Sequence, residues 1–189
     1  MLDHTQLFTD ARTHYGWLPE PVDDATLQKI YELARWPPTG NNGQTMRIVF
    51  VRSAEAKERL RPALFPMNVE KAMTAPVTAL IAYDATWWTH MPYLTGKQSD
   101  QYLAMTEERR DYLGHFNAVL GAAYMIIAAR SLGLDCGPMG GFDRGVADAA
   151  FFPDGAWRSI LLLSVGHGDP EKLRPRMPRL AFETACRIA

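Results

Sequence analysis

The run FNAVLGAAYMIIAARSL, residues 116–132, limits what this chain can become. Apolar side chains fall on nearly every face of the helix it predicts, so that helix has to be covered all round. In a chain of 189 residues, one way to cover the outer face is a second subunit. Gly121, Ala122 and Ala123 permit close helix approach, and Gly133 supplies a C-terminal stop. The length predicts one domain, 1–189, able to bury its own core.

Three runs predict strands. IVFV at 48–51 is β-branched and aromatic. APVTALIAY at 75–83 is apolar throughout and predicts a central strand. ILLLSV at 160–165 is the third and is closed by Gly166, His167 and Gly168. Asp23 or Asp24 predicts an N-cap after Pro21, and Leu27, Ile30, Tyr31 and Ala34 follow at helical spacing. Further helices are expected over 54–64 and 182–188. LDCGPMGGFD at 134–143 reads as a Gly-rich loop.

The stretch WPPTGNNGQTMR, 36–47, joins the first helix to the first strand. Pro37 and Pro38 stop the helix. Gly40 and Gly43 allow positive φ and let another molecule's atoms come close to bare backbone. Thr39, Asn41, Asn42 and Gln44 add compact donors and acceptors. The stretch suits a cradle for a flat, polar ligand; an ordinary helix-to-strand turn uses the same residues. Similar pairs of readings hold elsewhere. Arg12, Thr13 and His14 can clamp an anion or end a solvated helix. Asn68 and Lys71 share one helical face and can hold ligand oxygens, or Lys71 can be solvated. Lys172, Arg174, Arg176 and Arg179 form either a solvated basic tail or an anion site completed late in the chain. Residues 84–115 carry Trp87, Trp88, Tyr93 and Tyr102 among Pro92, Gly96 and many charges, without strong periodicity. They predict a lid over a planar substrate, a surface excursion or a subunit contact.

Several function classes are excluded. Net charge is −1 with scattered basic residues, which leaves no nucleic-acid footprint. No apolar run reads as membrane-spanning, and the N-terminus MLDHTQLFTDAR has no signal-peptide pattern. Cys136 and Cys186 form no CxxC, which fits reduced thiols in a cytoplasm. His4, His14, His90, His115 and His167 show no metal-ligand spacing, so no metal is expected. Neither a GxGxxG fingerprint nor a P-loop is present.

The order of these motifs is more specific than any one of them. FTDARTH, RIVF, KERLRPAL, MTAPVTA, LGLDCGPMGGFDR, DAAFF and PRLAFETAC together resemble the FMN-dependent nitroreductase family from end to end, residues 84–115 least. Within it the likeness is to the RutE-like malonic semialdehyde reductases of pyrimidine degradation. The resemblance implies an α+β fold with a mixed sheet flanked by helices, an intertwined homodimer, and FMN sites lined by both chains. It implies NAD(P)H as hydride donor and a small-molecule substrate. Carried over by position, Arg12, Thr13 and His14 form an N-terminal FMN clamp. Pro38, Thr39, Gly40 and Asn42 reach FMN from the partner. Asn68 and Lys71 contact flavin and ribityl, Pro138, Met139, Gly140 and Gly141 lie beside the reactive edge, and Arg179 is a phosphate ligand. Lys71 and Arg12 are the candidate electrostatic stabilisers, and no general acid is assigned. The chain departs from the pattern at Met177, where a second basic residue is common and Arg176 can substitute, and at Gln44-Thr45, Ala11 and Tyr15. A substrate carboxylate would have Arg47, Arg109 or Arg110 within the sequence to pair with.

Overall fold

The computed structural model describes residues 4–96 and 98–189. Its axis is β2 (Val77–Asp84), whose eight residues are all buried. A continuous apolar run of this kind has no face to offer water, so it takes the middle of a sheet. β1 (Met46–Val51) pairs along one side. β4 (Trp157–Gly166) pairs along the other and carries β3 (Asp135–Met139) at the far edge, in the order β1-β2-β4-β3.

All three pairings are antiparallel. The sheet expected to be mixed is therefore antiparallel, and parallel pairing among the described residues is confined to the isolated bridge Thr13↔Cys136. The register between β2 and β4 shifts between Ile81 and Ala82, where Ile160 of β4 is the extra residue of a bulge. β3 lies inside the segment expected to be a Gly-rich loop. Pro138 has no N–H and Gly137 no side chain, which hides the strand in the sequence. Both are tolerated because β3 is an edge whose outer side, among the described residues, carries only the single bridge from Thr13 to Cys136.

Alternation along β2 separates two cores. Val77, Ala79, Ile81 and Tyr83 face α1 (Asp24–Ala34) and α6 (Glu107–Ser131). Leu80 and Ala82 face the layer containing α2 (Ala54–Leu60), α3 (Pro66–Thr74) and α7 (Arg144–Phe151). α1 begins as expected, with Asp23 accepting from the Thr26 N–H at 2.8 Å. It buries Leu27, Ile30 and Ala34 but leaves Tyr31 exposed. α7 was not foreseen; Asp143 caps it by accepting from Val146 N.

α6 is longer than its apolar run predicted, because Thr106 caps it upstream by accepting from Arg109 N. At 25 residues it is long and apolar enough by composition to cross a membrane, which corrects the absence of any such run. Instead it packs along the sheet and α1. Its burial is inverted. The buried face is made mainly of small residues, including Gly114, Ala118, Gly121, Ala122, Ala128 and Ala129, while Tyr112, Phe116, Val119 and Tyr124 are exposed. A Cβ at Gly114 would stand 2.7 Å from the Tyr83 ring, and one at Gly121 2.8 Å from Met46 Sδ. The small face lets the helix backbone lie directly on the sheet.

Residues 84–115 are not one irregular lid. They comprise a 3-10 turn (Trp87–His90), α4 (Met91–Thr95), α5 (Asp100–Leu103) and the start of α6. Lys97, inside the expected lid, lies outside the described residues. Trp87, Met91 and Tyr102 form a separate small core. Beyond Leu173 the chain is exposed throughout, including the short α8 (Phe182–Ala185).

Candidate functional site

The two chain ends meet over one cavity of about 850 Å³. Arg12, Arg130, Arg174, Arg176 and Arg179 all line it. Their geometry is held by main-chain acceptors rather than by acids. Arg12 Nη2 donates to Arg174 O, and Arg176 Nη2 to Ala11 O at 3.2 Å. Arg130 Nη1 donates to Leu7 O at 3.1 Å, and Arg179 Nη1 to Met177 O at 2.9 Å. Among the described residues none of the five is ion-paired. Five guanidiniums without an acidic partner among the described residues make the space electropositive, and planar forks suit phosphate or carboxylate.

Tyr15 connects this cavity to the sheet edge. Its ring lies under the Arg174 guanidinium at 4.0 Å and under Lys71 Nζ at 4.7 Å. Lys71 is 3 % exposed and donates to Pro138 O at 3.1 Å. Burial, with repulsion from Arg174, pushes its pKa down to about 8. Gly137 makes this approach possible, since a Cβ there would stand 2.4 Å from Lys71 Cε. Asn68, one turn earlier on α3, donates to Gly141 O at 2.8 Å. Asn68 and Lys71 thus hold the 138–141 segment, where β3 ends, from the same helical face.

Of the sequence-predicted residues, Arg12, Thr13 and Arg179 line the arginine cavity. Asn68, Lys71, Pro138, Met139, Gly140 and Gly141 do not line it; they form a neighbouring group, linked by the Lys71–Pro138 and Asn68–Gly141 bonds, that meets the cavity through Lys71 against the Tyr15 ring. His14 differs. It is buried, with Nε2 3.2 Å from Asp135 Oδ1, and its N–H donates to Cys136 O at 3.0 Å. Its ring therefore points inward and ties the N-terminal segment to β3. Tyr15 and Arg130 were missed. In the sequence Tyr15 is only a departure from the family pattern, and Arg130 is not singled out. Of the four basic residues grouped late in the sequence, Arg174, Arg176 and Arg179 line the cavity, whereas Lys172 pairs with Glu70 at 3.1 Å.

Pro38, Thr39, Gly40 and Asn42 are elsewhere. They form a 3-10 turn (Gly40–Asn42) against the middle of α6. Positive φ falls on Asn41 at 53° and Asn42 at 55°, not on Gly40 or Gly43. Asparagine tolerates this region better than other residues with side chains. Gly40 N donates to Asn117 Oδ1 at 3.0 Å, and Asn42 Nδ2 to Leu94 O at 3.2 Å. Asn117 and the cavity residue Arg130 are separated by about 20 Å of helix at about 1.5 Å rise per residue. Within one chain the turn and the arginine cavity are two separate places. Arg47, considered for a carboxylate, is engaged by Asp84 at 2.6 Å. Arg110 is spent on the carbonyls of Tyr102, Leu103 and Met105, and Arg109 lies over the Tyr112 ring.

The fold is shared with solved proteins. A protein named as a nitroreductase, from Exiguobacterium sibiricum and solved in complex with FMN, superposes with TM-score 0.88 at 17% identity, covering 100% of this chain and 98% of that one. A protein named as an NAD(P)H:FMN oxidoreductase, from Staphylococcus epidermidis, gives 0.88 at 17% identity with 100% and 97% covered. CLA-ER, an enone reductase of gut-bacterial fatty acid saturation, gives 0.86 at 16% identity with 100% and 99% covered. The model of the nitroreductase family matches residues 9–167 of this chain. That match spans the N-terminal arginine, both flanking helical layers and the whole sheet, and on it the chain belongs to the nitroreductase family.

Proposed function

We propose that the protein is an FMN-dependent NAD(P)H oxidoreductase that works as a homodimer and reduces malonic semialdehyde to 3-hydroxypropanoate. The observation that carries the flavin reading is the arginine cavity joined through Tyr15 to the buried Lys71. Its volume is within the range of small-molecule sites. The donor set fits FMN, with guanidiniums for a phosphate dianion at one end and a desolvated cation with main-chain groups at the other. The FMN complex and the FMN oxidoreductase among the structural relatives support the same reading.

In this assignment Arg12, Thr13 and Arg179, with Arg174 and Arg176, hold the phosphate. Asn68, Lys71, Pro138, Met139, Gly140 and Gly141 hold the ring and ribityl end. His14 anchors the clamp to β3 rather than touching the ligand. Pro38, Thr39, Gly40 and Asn42 come from the partner, because their own cavity is about 20 Å away along α6. When bound, FMN supplies a hydride relay from NAD(P)H to the substrate in a ping-pong cycle. The chain binds and orients it, and places the Lys71 charge where negative charge develops.

Two exposed surfaces support the dimer. Tyr112, Phe116, Val119 and Tyr124 put large apolar side chains on the outer face of α6, and Met177, Leu180, Phe182 and Ile188 do so on the tail. A soluble chain leaves such area exposed only where something covers it. The tail has no core of its own and suits a wrap around a second copy. The single domain, 1–189, and a reducing cytoplasm belong to the same reading. Cys136 and Cys186 are both unpaired, as that compartment would keep them.

The aldehyde acid rests on the likeness of the ordered motifs to the malonic semialdehyde reductases, since the cavity's arginines are assigned to the phosphate. The enone reductase relative supports quinone, enone or nitro reduction as the second reading. Purified protein is expected to be yellow, to release FMN on denaturation, and to oxidise NADPH faster with malonic semialdehyde than with a nitroaromatic. A colourless dimer that ignores added FMN would overturn the flavin assignment; the opposite substrate preference would overturn the aldehyde acid.

A further inference from the structure

Asn117 is the one amide on the buried face of α6. Its neighbours there are Gly114, Ala118, Gly121, Ala122 and Met125, and it is itself 3 % exposed. A carboxamide in such surroundings is costly unless its polar atoms are bonded. Its Oδ1 accepts from Gly40 N at 3.0 Å, across 77 residues of sequence. The amide lies directly under the turn, so that a Cβ on Gly43 would stand 3.1 Å from its Nδ2. The same turn holds two successive asparagines at positive φ, a conformation that persists only where its surroundings enforce it. A leucine at 117 would pack as well against the glycines and alanines. Only an acceptor at this height fixes Gly40.

We propose that Asn117 is a positioning residue that holds the 38–42 turn of one subunit in the shape the other subunit's anion site requires. The inference rests on the dimeric, shared-site reading above. It predicts action in trans: a defect at 117 damages the cavity of the partner and leaves the cavity of its own chain intact.

The test combines two variants. N117L removes the acceptor while keeping the helix face packed, and N117S, which withdraws it from reach, serves if N117L does not fold. R12A damages the arginine cavity in cis. Each homodimer is expected to bind FMN about tenfold more weakly in a fluorescence-quenching titration, with the apoprotein melting transition of the 117 variant still cooperative. N117D, which keeps an acceptor for Gly40 N, is expected to restore affinity. A heterodimer of N117L and R12A chains, isolated through two different tags, pairs one doubly damaged site with one undamaged site. It should hold one FMN per dimer with wild-type affinity. Wild-type affinity of both the N117L and N117S homodimers, or a heterodimer without a wild-type site although both homodimers are impaired, overturns the inference. If R12A binds FMN normally, the arginine-cavity assignment fails instead. The 117 homodimers then decide alone, weakened binding with N117D rescue supporting the positioning role and unchanged binding overturning it.

Discussion

Replacing Lys71 by methionine should move stability and ligand affinity in opposite directions. The wild-type ammonium is 3 % exposed, with one carbonyl partner at 3.1 Å and an aromatic face at 4.7 Å. A pKa lowered from 10.5 to about 8 leaves roughly ten charged lysines for each neutral one at pH 7, and roughly the reverse at pH 9. The apoprotein therefore carries a charge it solvates poorly. The cost at pH 7 is about 3 kcal/mol, or about 2 kcal/mol after allowance for solvent screening. Methionine removes that cost and also the bond to Pro138 O, worth about 1 kcal/mol. The net effect is about 1 kcal/mol in favour of Lys71→Met, or roughly 2–4 °C in melting temperature for a chain of this size. Affinity for FMN should fall about ten- to a hundredfold, because a charged donor contributes about 1.5–3 kcal/mol.

The pH dependence supplies an independent check. The folded pKa lies below that of the unfolded chain, so the unfolded state binds more protons between about pH 8 and 10. Wild-type apoprotein should gain stability across that window through Lys71, and Lys71→Met should lack that contribution. Thermal melts of both apoproteins from pH 7 to 10, with flavin titrations at pH 7, measure all of this. A variant that melts lower than wild type at pH 7 and binds FMN equally well would refute both the burial argument and the site.

Phe116→Asp puts a charge into the exposed apolar stripe of α6 and should yield monomer by size exclusion, with flavin lost at the same time; a flavin-loaded dimer would contradict the assignment of that face. Arg179→Ala should weaken FMN about tenfold and leave riboflavin affinity unchanged in parallel titrations, since only the phosphate is concerned; equal losses for the two ligands would remove Arg179 from the phosphate end. Asn42→Ala should cost about 1–2 kcal/mol in the turn, because alanine tolerates φ near 55° poorly and loses the Leu94 contact. Its expected signature is weaker FMN binding with unchanged dimerisation, and Asn42→Gly should be milder.

Features whose cause is local were legible in the sequence. The cap at Asp23 and the spacing of Leu27, Ile30 and Ala34 determined α1. The unbroken apolar run of β2 determined a central strand. The apolar run at 116–132 determined a long helix, but not that its small residues would face the sheet and its large ones the outside. The ordered motifs determined the family. What depends on distant neighbours was not legible. β3 was hidden by Pro138 and Gly137, which are acceptable in a strand at the sheet's edge, where the outer side carries a single bridge at Cys136. Lys71 looked solvated until β3 and Tyr15 enclosed it, and that enclosure is what moves its pKa. The motif did not reveal that the His14 ring is held against Asp135. The tail arginines looked like a solvated face until the two chain ends met around one cavity. Hydrogen-bond spacing and periodicity act over a few residues and can be read along the chain. Desolvation and charge convergence are set by which segments, up to 165 residues apart, the sheet brings together.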